Sequence, residues 1–201
     1  MNSMETQGIK LNTLGDLDVT LVKKSKIFNI QTKHSNESVL IKCYNITVRT
    51  GFTINQFKTS GDDGQISIDL GDDAEYIDLF DLKVQNEFSN MYLGKIENNV
   101  KMTRNSIVQM FKPSTYMSYL RLNISKASCS VFDEQKQLKL NTSIDYFDIL
   151  KENTKVNLLI EPKYLWMMNQ KIGLHWDIKQ IWIENQPVNT KVDWSLLFDN
   201  E

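Results

Sequence analysis

The chain has 201 residues, of which 41% are hydrophobic, 10% aromatic and 24% charged, with a formal net charge of -2 at pH 7. This balance excludes a disordered chain and fits one globular domain spanning residues 1–201, long enough to bury a core without staples. A pI near 5.8 argues against coating duplex DNA by bulk positive charge, while leaving room for a local basic groove.

Residues 1–35 are mixed. They carry a basic knot at Lys23, Lys24 and Lys26 and two short strand candidates, Val19 to Val22 and Ile27 to Ile30. From Ser38 to Arg49 the chain is β-branched and partly alternating, which predicts a strand. The turn cluster at residues 60–64 separates two more strand candidates, Phe52 to Phe57 and Gln65 to Leu70. The clearest helix follows. Asp72 is its expected cap with Glu75 as capping-box partner, and Ile77, Phe80, Val84, Phe88 and Met91 form one apolar stripe. Gly94 sits where a C′ glycine belongs. A shorter helix is expected from about Thr103 to before Pro113, so residues of about 72–113 read as a helical insertion.

Beyond the insertion the chain turns β-rich. Between Tyr116 and Ile124, Leu120, Leu122 and Ile124 share one face, and Tyr119, Arg121 and Asn123 share the other. Further strands are expected at Ser128 to Phe132, Leu138 to Leu140, Lys155 to Glu161 and Tyr164 to Met168. The last, Ile172 to Glu184, changes the phase of its alternation near Lys179 and Gln180, which predicts a bulge there. If Leu174 and Ile178 face inward, Trp176 does too. Several closely spaced strands around one real helix point to a small barrel or sandwich.

The opening residues show no basic region followed by an apolar run, and no stretch approaches the roughly 20 apolar residues of a membrane helix. An intracellular protein without a membrane partner is expected, with Cys43 and Cys129 as reduced, buried thiols. Asn, Ile and Lys are abundant, while Ala occurs only at 74 and 127 and Arg only at 49, 104 and 121. That skew tracks AT-rich codons and speaks of origin, not chemistry. Neither standard phosphate-cradling glycine loop is present, and two histidines, His34 and His175, are too few for a His-rich zinc site. Both Gly-Asp-Asp triplets, at 61–63 and 71–73, read as a turn and a helix start before they read as metal ligands. No catalytic residue, metal or cofactor is therefore implied. A magnesium-dependent nuclease built on Asp62 and Asp63 ranks third among the readings.

The second half interleaves aromatics with cations. Tyr116, Tyr119, Trp166 and Trp182 alternate along the chain with Arg121, Lys126, Lys139, Lys163, Lys171 and Lys179. Rings that stack bases beside cations that neutralise phosphates are what a single-stranded nucleic-acid groove requires. The competing reading is that these aromatics are ordinary core and rim residues. At the end, residues 193–201 mix acids with Trp194, Leu197 and Phe198. They read either as a mobile acidic tail that docks replication proteins or as a segment packed on the domain.

Four pieces, Tyr119 to Ile124, Leu158 to Pro162, Tyr164 to Met167 and Lys171 to Ile183, together resemble the C-terminal part of OB-fold single-stranded-DNA-binding proteins of large DNA viruses. The resemblance covers about the last 85 residues. It implies a mainly-β, OB-like Greek-key barrel with a helical insertion, and a non-catalytic viral replication factor that coats single-stranded DNA. The alternative is a β-sandwich acting as a viral structural or protein-interaction module. A homo-oligomer is compatible with either reading.

Overall fold

The computed structural model describes residues 8–54, 63–97, 100–125, 127–132, 138–139 and 146–182. Five strands come first: β1 (Ile9–Lys10), β2 (Val19–Lys24), β3 (Ile27–Thr32), β4 (Ile41–Ile54) and β5 (Asp63–Asp69). Helix α1 (Ala74–Tyr92), strands β6 (Ile96–Glu97) and β7 (Val100–Lys101), and helix α2 (Arg104–Met110) form the insertion. Then come β8 (Thr115–Tyr116), β9 (Tyr119–Ser125), β10 (Ser130–Phe132) and β11 (Leu138–Lys139). The single turn α3 (Tyr146–Ile149) precedes the two longest C-terminal strands, β12 (Lys155–Met168) and β13 (Lys171–Trp182).

Five of these strands close on themselves. β4 pairs β5, β5 pairs β9, β9 pairs β13, β13 pairs β12, and β12 returns to β4. Numbered along the barrel, the order is first, second, third, fifth, fourth. The third and fifth run parallel and every other pair is antiparallel. This is the Greek-key order of an OB barrel. The seam between β9 and β13 is thin, a single pairing of Asn123 with Asp177, reinforced by Asn123 Nδ2 donating to the Trp176 carbonyl at 3.0 Å. Closure sets aside the two-sheet sandwich alternative.

Side-chain alternation fills the barrel. Val48, Ile68, Leu120, Leu122, Ile160, Leu165, Trp176 and Ile178 point inward and are at most 2% exposed. The predicted stripe of α1 covers the same core: Ile77, Phe80, Val84 and Phe88 are fully buried. Tyr92 takes the buried position expected of Met91, stacking on Phe88 with ring centroids 4.5 Å apart. Both cysteines are buried, and burial pushes their thiols up to about 12, so they act as small apolar core residues.

Several expectations are corrected. The strand placed at Ser38 to Arg49 and the beginning of the one placed at Phe52 to Phe57 are one continuous β4, which passes through Gly51, and residues 55–57 lie outside the described residues. Likewise Lys155 to Glu161 and Tyr164 to Met168 merge into β12, where Lys163 is the bulged residue that lets the strand run past Pro162. Asp72 does not cap α1. Gly71–Asp73 forms a 3-10 turn, and Gly71, at φ +54, gives its N–H to Asp69 instead. The capping box lies on α2, where Thr103 and Ser106 exchange hydrogen bonds. The bulge expected near Lys179 is present, since Ile178 and Gln180 pair with adjacent residues of β12 and leave Lys179 unopposed. Lys126 and the segment 193–201 lie outside the described residues.

Candidate nucleic-acid interface

The outward face of β4, β5 and β9 is built by register. Thr50, Ser67 and Arg121 stand in one cross-strand row, Thr47, Asp69 and Tyr119 in the next, and Thr53, Gln65 and Asn123 in a third. Between the first two rows, Arg49 is the bulged residue of β4, and its guanidinium lies 5.5 Å from the centre of the Tyr119 ring. Small Ser67 keeps the floor low between the two arginines.

The other wall is the extended segment from Phe111 to Tyr116. Phe111 bridges to Ile172, and the Lys112 N–H donates to the Ile172 carbonyl at 2.7 Å. Helix α1 clasps this strap from below. Asp81 accepts the Ser114 N–H and the Ser114 hydroxyl, both at 2.6 Å, and Asp78 accepts the Thr115 hydroxyl at 2.6 Å. Trp176 Nε1 donates to Ser114 Oγ at 2.9 Å, tying the strap to the core. Burial lifts the Asp81 carboxyl to about 7 against the pull of the Ser114 hydrogen bonds, which lower it. Strap and strands enclose a groove of about 400 Å³ whose lining includes Arg49, Ser67, Pro113, Tyr116, Tyr119 and Arg121.

Among the described residues neither Arg49 nor Arg121 makes an ion pair. Two carboxylates of β5, Asp63 and Asp69, share the face. Asp69 is held below the usual carboxylate range by the Ser118 hydroxyl and the Gly71 N–H, with Arg49 adding a smaller pull. Among the described residues no cluster of three His, Cys, Asp or Glu side chains is arranged to hold a metal. No described helix is long and apolar enough to cross a membrane.

The expected site residues separate into groups. Tyr116, Tyr119 and Arg121 come together in the groove. Lys163 and Lys179 are elsewhere and already engaged, at 2.7 Å from Asp177 and 2.8 Å from Glu161. Their carboxylate partners are nearly buried, and Asp177 also receives His175 Nε2 at 2.9 Å. Burial pushes the Asp177 carboxyl up, but the hydrogen bonds from His175 and Lys163 outweigh it and hold it below the usual range. Trp182 stacks on Phe132, and Lys139 lies on β11, which joins β10 beyond the barrel. Trp166 lies over Gly173 beside Lys112, and Lys171 stands opposite Met168 in the next row of the β12–β13 hairpin. Sequence reasoning missed Arg49 and the strap as one wall. The scarcity of arginine was the available signal, since two of the three in the chain line the groove.

The fold class is therefore an OB-like barrel with a polar, arginine-bearing groove on the outer face of its second and third strands. No family model and no curated protein matches the chain. Among solved structures it is similar to the single-stranded DNA-binding protein from bacteriophage Enc34 in complex with ssDNA, at 9% identity and TM-score 0.44 over 84% of this chain and 96% of that one. A C-terminal truncation of the Enc34 protein gives 10% identity and TM-score 0.44, over 84% and 97%. Another structure of that protein gives 12% and 0.41, over 90% and 99%.

Proposed function

We propose that the protein is a non-catalytic binder of single-stranded DNA that seats the strand in the groove between the strap and the β4–β5–β9 face. The observation that carries this reading is one groove that holds Arg49 beside the Tyr119 ring together with Arg121, neither arginine in an ion pair, over the outer face of the barrel's second and third strands. That is the face on which OB barrels hold oligonucleotides. Tyr119 and Tyr116, the latter 74% exposed, offer rings for base stacking, and the arginines neutralise phosphates. Hydroxyls and amides of Thr50, Ser67, Gln65 and Asn123 line the remainder of the face.

The finer role is coating unwound strands in viral-type DNA replication inside the cell. Its support is the residue pattern of positions 119–183, together with the AT-rich codon skew. The assignment to large DNA viruses rests on that pattern alone. Docking of replication proteins on residues 193–201 belongs to the same proposal. The test is a titration of labelled poly(dT) against duplex of equal length across a salt series. Preferential binding of the single strand, falling steeply with salt, supports the reading. Equal binding of both, or none at low salt, removes it.

A further inference from the structure

The basic hairpin β2–β3 lies outside the five-stranded barrel and has no part in the groove. Register nevertheless brings its tip to an aromatic. Lys24 pairs with Ile27, Ile27 with Trp166, and Trp166 with Gly173, so the four form one row across β2, β3, β12 and β13. Leu165 points into the core, so Trp166, its chain neighbour, belongs to the outer face. The indole lies over the backbone of Gly173, where an added Cβ would come within 2.5 Å of the ring. From the far side of β13, the ammonium of Lys112 stands 5.8 Å from the ring centre. Lys171, opposite Met168, is exposed in the adjoining row. Lys26 is exposed in the two-residue turn beside Lys24, where Ser25 adopts φ +56. Neither row contains a carboxylate.

This neighbourhood differs from the neighbouring Lys163, Lys179, Asp177 and Glu161 patch, where the cations are matched by acids. Here Lys112 contacts one half-buried indole, Lys171 stands in the adjoining row and Lys24 and Lys26 lie at the end of the same surface, with no carboxylate partner among the described residues. The strap connects the place to the groove. Lys112 is at the Trp166 end and Tyr116 at the groove end, four residue steps apart, which span at most ~14 Å. At about 3.4 Å per stacked nucleotide, that is roughly four nucleotide steps.

We infer that Trp166, seated on Gly173 beside Lys112, with Lys171, Lys24 and Lys26 on the same surface, is a second stacking subsite for single-stranded nucleic acid, reached by a strand that leaves the groove and crosses the strap. The inference rests on the strand-binding reading above. A base stacking on Trp166 displaces the Lys112 ammonium from the ring and leaves it free for a phosphate, and the hairpin lysines take the next phosphates. The β2–β3 hairpin is then part of the binding surface and sets a longer site than the groove alone.

The test is a series of labelled oligo(dT) strands from dT3 to dT15, titrated into the full chain with Trp166→Ala, Trp166→Phe and Lys24→Gln/Lys26→Gln. The wild type gains affinity as strands become long enough to span both places. Trp166→Ala loses about tenfold on dT15 and much less on dT3, and Trp166→Phe restores most of the loss. Lys24→Gln/Lys26→Gln makes the log K against log salt slope on dT15 shallower by about 1.4, at ~0.7 per lost phosphate contact. The two lysines sit on an exposed turn, so this variant decides the question even if Trp166→Ala fails to fold. Unchanged dT15 affinity and slope in the folded variants overturn the subsite and leave the groove reading standing. If wild type binds no length at low salt, both fall together.

Discussion

On β4, β5 and β9 the outward cations Arg49 and Arg121 stand among hydroxyls and amides, with Asp69 in the row of Tyr119, whose ring lies beside Arg49. On β12 and β13 the outward cations Lys163 and Lys179 are each within 2.8 Å of a nearly buried carboxylate. Both faces belong to one barrel and both look basic in the sequence. Their difference is one of pairing. A lysine already neutralised by a carboxylate displaces no counterion from a phosphate backbone, whereas an unpaired arginine retains its whole charge and its planar fork for bidentate contact. Counting cations misleads, then, and the pairing that register imposes decides which face can hold a strand.

The largest expected effect comes from removing the unpaired arginines. Arg49→Gln and Arg121→Gln should each weaken poly(dT) binding by about 1.5–3 kcal/mol, the worth of a charged hydrogen bond, as read by fluorescence anisotropy. Next is Tyr119→Ala, which removes a stacking ring and the partner of Arg49. A loss of about 1–3 kcal/mol in the same assay is expected, with Tyr119→Phe close to wild type. Third is the clasp under the strap. The Asp81 carboxyl is raised from its ordinary 3.8 to about 7 by burial, so the stability it contributes is fully present below its ordinary value and lost as pH rises through about 7. Thermal melts should show that loss between about pH 4 and pH 7 and little change above, and Asp81→Asn should flatten it. The smallest effect belongs to the paired face. Lys163→Gln and Lys179→Gln should leave strand affinity and its salt slope essentially unchanged. A large loss there would break the contrast between the two faces.

Much of the barrel was legible in the sequence because alternation is local. The β9 alternation, the α1 stripe and the bulge at Lys179 all follow from which residues are apolar at period two or near 3.6. What the sequence could not supply was long-range register. Nothing local in Lys163 or Lys179 announces that Asp177 and Glu161 will lie beside them across the β12–β13 ladder. Nor does Arg49 announce Tyr119, 70 positions away. Pro162 and Gly51 misled for a different reason. Both ordinarily punctuate strands, and here a bulge at Lys163 absorbs one while β4 runs through the other. Asp72 misled as a cap because a 3-10 turn begins the helix one step earlier, with Asp69 accepting the Gly71 N–H.

The central claim is that two unpaired arginines around Tyr119 make this barrel a single-strand binder. It is tested most directly by the salt dependence of poly(dT) binding in wild type and in Arg49→Gln/Arg121→Gln. The account predicts that the double variant remains folded, binds more weakly, and has a log K against log salt slope shallower by about 1.4. An unchanged slope and affinity in a folded double variant would contradict it.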